Sequence, residues 1–283
     1  IIKSKIKRSI PKQDFKVSLF IVGAQKSGTS ALHDYLIKHP KIIGGKQKEL
    51  NFFNHPEKYS QGEKWYHKQF DRPLIYKQKK IYLDSTPQYL SELDSAKKIH
   101  NYNPNTKIII LLREPVSRAY SAWNMYKQFT ELSNERKKSL IRSHIPDEQV
   151  LNFKNLINKN PFYTFDEYVQ NELVDNKLIN FYPNIIKRGV YVNQIKQYLK
   201  YFNKDNIYIY ESQYFKDNKL EVTNTIIKDL KLPELKIEST NLKPVHARQY
   251  ESKISKTTEK KLKDFYKPYN QKLFNLINQK FDW

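Results

Sequence analysis

The feature that most constrains the fold is a glycine-framed loop between an apolar strand and a helix, within Phe20–Leu32. Such a strand, loop and helix direct backbone N–H groups and the positive helix end at an anion. Gly23 and Gly28 have the spacing of a G-x-x-x-x-G-K-[ST] phosphate loop. However, Thr29 follows Gly28 where an NTPase has lysine, and the only lysine in the loop is Lys26. The loop predicts an α/β fold and a phosphate site that differs from that of an NTPase.

Strand and helix patterns alternate along the chain. The predicted strands cover 17–23, 41–43, 81–84, 106–112 and 207–211. The predicted helices cover 29–38, 62–70, 92–100, 115–128, 165–178, 189–201, 219–231 and 256–278. This alternation predicts an α/β, P-loop-type, three-layer αβα fold with a mostly parallel central sheet. The polar stretch 129–160 contains no strand pattern, and we expect a helical excursion there.

A second motif follows the apolar run Thr106–Leu112, which is typical of a buried parallel strand. Arg113 comes directly after this run, and Pro115 suits the first turn of a new helix. Arg118 and Ser121 lie one turn apart on that helix. Because ligands of open α/β sheets bind at the carboxyl ends of strands, the motif predicts a second anion site. Two such sites fit a nucleotide with phosphates at both its 5′ and 3′ positions.

Length and composition favour one domain. The chain has 283 residues, 6 glycines and no Gly/Ser or Pro run that could be a linker. We expect a flexible basic arm over 1–16 and a single domain over 17–283. No run of 18 apolar residues occurs, so no transmembrane segment is predicted. Because the chain has no cysteine, it has no disulfide and no thiolate metal site.

The net charge of +22 is open to two interpretations. It is typical of proteins that bind nucleic acid, anionic glycans or membrane surfaces. Alternatively, the lysines are solvated residues scattered over the surface, since 43 of the 51 basic residues are lysine. No nucleic-acid-binding motif occurs, and we expect no nucleic-acid partner. Arginine is scarce, so the pair Arg113 and Arg118 stands out as suited to bidentate phosphate recognition.

The two anion motifs resemble those of the sulfotransferases that use 3′-phosphoadenosine 5′-phosphosulfate (PAPS). Lys26–Ser30 is similar to their 5′-phosphosulfate loop, and Arg113–Ser121 to their 3′-phosphate motif. The likeness is closest to the heparan sulfate glucosaminyl sulfotransferases and their bacterial relatives. It spans the chain from about Val17 to the end. Its other segments are Lys48–Phe53, Trp65–Tyr66, Asp84–Tyr89, Gly189–Tyr191, Phe265–Asn270 and Phe281–Trp283.

The resemblance implies PAPS as sulfuryl donor, adenosine 3′,5′-bisphosphate (PAP) as product, and no metal. It implies catalytic roles for Lys26, which would neutralise the leaving phosphate, and Glu49, which would take the proton of the acceptor. It implies that the acceptor group is a hydroxyl or amino group of a carbohydrate. We expect Lys48 and Asp84 to bind this acceptor. The residues expected to bind the nucleotide are Gln25, Lys26, Ser27, Gly28, Thr29, Ser30, Arg113, Ser121, Tyr191 and Arg248.

The acceptor half departs from the family pattern. Asp84-Ser85 stands where the glucosaminyl relatives have Glu-Lys, and Asn51 stands where some have histidine. Lumenal relatives carry a disulfide, so the lack of cysteine predicts a cytoplasmic location. Two other functions stay open at this stage. A P-loop kinase or NTPase would use Ile81–Asp84 as its Walker B strand, and a basic nucleic-acid-binding module would rely on charge alone.

Overall fold

The computed structural model describes residues 15–71, 80–174, 183–236 and 253–283. Its strands are β1 (Leu19–Gly23), β2 (Ile42–Gly44), β3 (Ile81–Ser85), β4 (Lys107–Leu112) and β5 (Ile207–Glu211). They form one sheet in the order β2-β3-β1-β4-β5, and every neighbouring pair is parallel. This confirms the predicted α/β class. A parallel sheet needs helical crossovers, which cover both of its faces.

The helices account for most of the rest of the described chain. The first six are α1 (Thr29–Leu36), α2 (Pro56–Tyr59), α3 (Gly62–His67), α4 (Leu93–Tyr102), α5 (Pro115–Thr130) and α6 (Asn134–His144). The others are α7 (Val150–Ile157), α8 (Phe165–Val174), α9 (Tyr191–Tyr201), α10 (Ser212–Asp217), α11 (Lys219–Asp229) and α12 (Lys256–Ile277). Single 3₁₀ turns occupy Pro87–Leu90, Asp147–Gln149, Lys187–Gly189 and Lys204–Asn206.

The core lies on both faces of the sheet because successive strand side chains point to opposite sides. Phe20 and Val22 of β1 pack in one cluster with buried residues of α4 and α9. Leu19 and Ile21 pack in another with residues of α1 and α11. All four side chains are fully buried, which explains why these strands read as continuous apolar runs rather than alternating ones.

A third apolar cluster lies beside the sheet, and none of its described buried residues comes from a strand. Trp123 of α5, Phe153 of α7, Tyr168 of α8 and Tyr266 of α12 are buried in it. The stretch 129–160 contributes α6 and α7 to this layer, so the predicted helical excursion is confirmed. This stretch follows β4 and α5. The end of its helix α6 lies next to the segment that follows β2.

The described chain begins two residues before the predicted boundary at Val17, and both of these residues make contacts with the domain. Phe15 stacks on Tyr82 with ring centroids 3.8 Å apart. The Lys16 ammonium donates to the Tyr102 carbonyl oxygen at 2.7 Å. Phe15 and Lys16, which the prediction assigned to the flexible arm, are therefore packed against the domain. Residues 1–14 lie outside the described chain. The single domain over 17–283 stays a prediction. Within the described ranges, no helix is both long and apolar enough to cross a membrane.

Candidate active site

The phosphate loop, residues 24–28, joins β1 to α1 at the carboxyl edge of the sheet. Gly23 ends β1 where a Cβ atom would lie 2.5 Å from Cβ of Leu90, so only glycine fits. Gly28 caps α1 with a φ of +91°, a conformation that favours glycine. No side chain caps the helix, which leaves the N–H groups of its first turn available to an anion.

Ser27 supplies a hydroxyl inside this loop. Its side chain is fully buried, and Oγ has no hydrogen-bonding partner among the residues that the structure describes. An unpaired buried hydroxyl costs about 1–3 kcal/mol. A ligand oxygen at the loop would remove that cost. The backbone at Lys26 is also unusual, with φ at +70°, which shapes the loop around its centre.

Arg113 brings the second anion motif against the first. It follows β4, and its Nη1 donates to the carbonyl oxygen of Lys26 at 3.2 Å. The hydroxyl of Tyr191 donates to the Arg113 carbonyl oxygen at 2.8 Å. Tyr191 is 1% exposed, and burial raises its pKa to about 12. Tyr191 therefore holds the backbone of Arg113, and its direct contact with the nucleotide stays a prediction.

Helix α5 begins as its sequence predicts. The Glu114 side chain accepts hydrogen bonds from the N–H groups of Val116 and Ser117, and Pro115 is the first helical residue. Arg118 is fully buried and donates through Nη2 to the Ile185 carbonyl oxygen, so it ties α5 to the chain before α9. Ser121 lies one turn further on the same helix and is 3% exposed.

The candidate base lies on the other side of the phosphate loop, after β2. The Lys48 ammonium donates to Ser30 Oγ at 2.7 Å and to Glu49 Oε1 at 3.1 Å. The Glu49 N–H donates to the Ser85 carbonyl oxygen at 3.1 Å, and its φ is +63°. A non-glycine residue in this conformation is held by its surroundings. Lys48 thus links the first turn of α1 directly to the Glu49 carboxylate.

Asp84 does not reach the cleft. It is 1% exposed, and its carboxylate accepts hydrogen bonds from the hydroxyls of Tyr66, Thr86 and Tyr89 at 2.8, 2.8 and 2.9 Å. Burial raises its pKa to about 6. Three hydroxyls occupy its oxygens beneath the surface, and the role of Asp84 in acceptor binding stays a prediction.

The raised pKa of Asp84 predicts a pH-dependent stability. The folded state holds the proton up to about pH 6, whereas an unfolded aspartate releases it near 3.8. The stabilising contribution is thus complete below pH 4 and is lost as the pH rises through 6. Relative to Asp84→Asn, the wild-type free energy of unfolding should fall by on the order of 2–3 kcal/mol across this window. Urea unfolding followed by circular dichroism at pH 4 and pH 7 measures it.

The matched control for this prediction is Asp282→Asn, which changes an exposed aspartate near the end of the chain. Its pH dependence should equal that of the wild type. If the wild type and Asp84→Asn differ by the same free energy at both pH values, the Asp84 proton is not held by burial and the assignment is wrong.

Two polar side chains near the phosphate loop were not predicted from the sequence. Arg188, in the turn before α9, is 8% exposed; its Nη1 donates to Gln25 Oε1 at 3.5 Å, and its Nη2 lies 3.8 Å from Glu92 Oε1. Tyr126 of α5 hydrogen-bonds to Gln25, and burial raises its pKa. The scarcity of arginine could have pointed to Arg188. The predicted nucleotide residue Arg248 lies outside the described residues.

A histidine of α1 that contacts the end of β3 is neutral at pH 7. Nδ1 of His33 lies 2.8 Å from Ser85 Oγ, and burial lowers the His33 pKa to about 4. His33 therefore positions the Ser85 hydroxyl next to Glu49 without adding charge. In the described ranges, no group of three or more His, Asp or Glu side chains could hold a metal ion.

Comparison with known families identifies the class of enzyme. The profile described as "Sulfotransferase domain" matches residues 16–274. The chain belongs to the sulfotransferase family. It is an enzyme of that class, which decides against the NTPase and nucleic-acid alternatives. This sulfotransferase also shares its fold with a sulfotransferase from Alicyclobacillus acidocaldarius, at a TM-score of 0.69 and 21% identity, covering 95% of this chain and 98% of the other.

Curated relatives of the sulfotransferase have low sequence identity to it but match most of its length. Membrane-associated sulfotransferase kil1 of Dictyostelium discoideum is 24% identical over 94% of this chain and 66% of its own length. Heparan sulfate glucosamine 3-O-sulfotransferase 5 of Mus musculus is 24% identical over 93% of this chain and 72% of its own length. The chain therefore spans about two thirds of the length of these relatives. The predicted similarity to heparan sulfate sulfotransferases is confirmed.

The predicted cytoplasmic location is wrong by the same comparison. One relative is described as a membrane-associated sulfotransferase, and the match extends over 94% of this chain. The prediction rested on the absence of cysteine. That absence excludes a disulfide within these 283 residues, but the compartment does not follow from it.

Proposed function

We propose that the enzyme transfers a sulfuryl group from PAPS to a hydroxyl or amino group of a carbohydrate. The observation that carries the proposal is the hydrogen bond from Arg113 Nη1 to the Lys26 carbonyl oxygen, 3.2 Å long. This hydrogen bond shows that the two anion motifs, which follow β1 and β4, are neighbours. A single nucleotide that carries a phosphate at each end of its ribose is the ligand that such a pair suits.

The residues present fit PAPS. The uncapped first turn of α1 and the unpaired Ser27 hydroxyl offer donors for the 5′-phosphate. Among the predicted nucleotide ligands, Gln25, Gly28, Thr29 and Ser30 frame the same loop. Arg113, held by Tyr191 through its backbone, offers a guanidinium for the 3′-phosphate together with Ser121. When bound, PAPS supplies an activated sulfuryl group.

In the proposed reaction, a lone pair of the acceptor oxygen or nitrogen forms a bond to sulfur. The bond between sulfur and the bridging phosphate oxygen breaks, and PAP leaves with that electron pair. Glu49 takes the proton of the acceptor, and Lys26 offsets the charge that develops on the phosphate. Lys48, bonded to both Ser30 and Glu49, fixes the distance between donor and base.

A carbohydrate acceptor is supported by the curated relatives, among them heparan sulfate glucosamine 3-O-sulfotransferase 5. The net charge of +22 suits an acidic glycan as well. Incubating the enzyme with ³⁵S-labelled PAPS and a panel of glycans, lipids and peptides tests the proposal. Label should pass to a glycan; a protein that binds neither PAPS nor PAP would refute it.

The Arg113 assignment predicts a selective loss of nucleotide affinity. Arg113→Ala should weaken PAP binding by about 1.5–3 kcal/mol, the usual contribution of a charged hydrogen bond, or roughly 10- to 150-fold in Kd. Isothermal titration calorimetry without metal measures it. Arg136→Ala, at an exposed position of α6, is the control and should bind PAP as the wild type does. Equal affinities for Arg113→Ala and wild type would exclude Arg113 as a phosphate ligand.

A further inference from the structure

The end of α6 is fastened to the segment that carries Glu49. Lys58 of α2 donates from one ammonium group to the Leu50 carbonyl oxygen at 2.9 Å and to the Ser143 carbonyl oxygen at 2.6 Å. Leu50 follows Glu49 in the chain, and Ser143 precedes His144. Because one nitrogen binds both carbonyl groups, the backbone next to Glu49 and the backbone next to His144 are neighbours.

Two further contacts fix this junction. The Asp147 N–H donates to Glu57 Oε1 at 3.4 Å, next to the Lys58 bridge. Ile145, which follows His144, is 4% exposed in the apolar cluster beside the sheet. The last turn of α6 therefore has little freedom to move away from Glu49, and it holds His144 near that carboxylate.

The His144 ring carries an acceptor atom in the neighbourhood of Glu49. Nδ1 lies 3.3 Å from the Leu140 carbonyl oxygen, which can only accept, so Nδ1 carries the proton and Nε2 has the lone pair. Among the described residues, Nε2 has no hydrogen-bonding partner. Burial lowers the His144 pKa, as do Lys58 and Lys48, while the nearby Glu49 carboxylate raises it. The net lowering keeps the ring neutral at pH 7.

We propose that His144 is a specificity-determining residue whose Nε2 accepts a hydrogen bond from the acceptor, beside the group that reacts at Glu49. This deepens the proposed function and rests on it. Glu49 and His144 together present two hydrogen-bond acceptors to the substrate. They suit an acceptor with two adjacent donor groups, a vicinal diol or amino alcohol. A substrate with one isolated hydroxyl would leave Nε2 without a partner.

The test compares His144→Ala and His144→Gln, with chemically desulfated heparan sulfate as acceptor and ³⁵S-labelled PAPS as donor. Loss of one hydrogen bond predicts an acceptor KM that rises about 5- to 20-fold in His144→Ala. The KM for PAPS and the Kd for PAP should stay unchanged. His144→Gln keeps a neutral side chain with an acceptor oxygen and should recover most of the affinity. Arg142→Ala, exposed on the same helix, is the control for damage to α6.

The outcomes separate this inference from the proposed function. If the wild type transfers sulfate but His144→Ala keeps the acceptor KM, or if glutamine restores nothing, His144 does not bind the acceptor. A wild type that sulfates a simple phenol as well as the glycan also overturns the inference, while leaving the enzyme class intact. A wild type that binds no PAP overturns the proposed function itself.

Discussion

Glu49→Gln is expected to reduce kcat by about 10²- to 10⁴-fold, the usual contribution of a general base. Glutamine keeps the size of the side chain and one acceptor oxygen for the Lys48 ammonium, which now lies 3.1 Å from Glu49 Oε1. It cannot take a proton. Because Glu49 lies after β2 and Arg113 after β4, the nucleotide pocket should be unaffected. Initial rates of ³⁵S transfer and calorimetric PAP affinity measure the two effects separately.

The matched control is Glu131→Gln, at an exposed position just after α5. It should retain wild-type kcat and PAP affinity. Retained turnover in Glu49→Gln would eliminate Glu49 as the base. A loss of PAP affinity equal to the loss of turnover would instead show that Glu49 supports the phosphate loop through Lys48 and Ser30, without a chemical role.

Lys26→Met should produce the second large effect. Methionine keeps an unbranched chain of similar length but removes the charge that offsets the leaving phosphate. Removal of one such stabilising group costs about 10²- to 10³-fold in kcat. The loss of PAP affinity should be smaller, because the backbone N–H groups of the loop and the uncapped end of α1 remain. Single-turnover rates and equilibrium binding distinguish the two losses.

Lys97→Met is the control for lost positive charge, since Lys97 is an exposed residue of α4. It should leave both quantities unchanged despite the same change in net charge. If Lys26→Met loses binding and turnover in equal proportion, the lysine serves only to bind phosphate. That outcome would remove its role at the breaking bond while keeping it in the nucleotide site.

The parts of the fold that could be predicted from the sequence are those whose signals lie in neighbouring residues. β4 is an uninterrupted β-branched and leucine run, and it ends within one residue of its predicted bounds. The turn from Glu114 into α5 follows from a capping carboxylate and a proline at the first helical position. Both signals lie within a few residues of the element that they define, so no tertiary information was needed.

The contacts of the site residues that the sequence does not show join distant parts of the chain. Asp84 lies near the end of β3, and the sequence gives no sign that hydroxyls of Tyr66 and Tyr89 surround it. Tyr191 likewise turns its hydroxyl to the backbone of Arg113, 78 residues earlier. His144 was one histidine among seven until the Lys58 bridge, which spans 85 residues, brought its helix to Glu49. Packing decides these roles.

The central claim is that two anion pockets hold opposite ends of one nucleotide. The most direct test removes the 3′-phosphate from the ligand and the Arg113 side chain from the protein, separately and together. PAP and adenosine 5′-monophosphate, which lacks the 3′-phosphate, are titrated into wild type and Arg113→Ala by calorimetry. The wild type should lose about 10-fold or more in affinity when the 3′-phosphate is removed, and Arg113→Ala should lose almost nothing. An equal loss in both proteins would contradict the assignment of the two pockets.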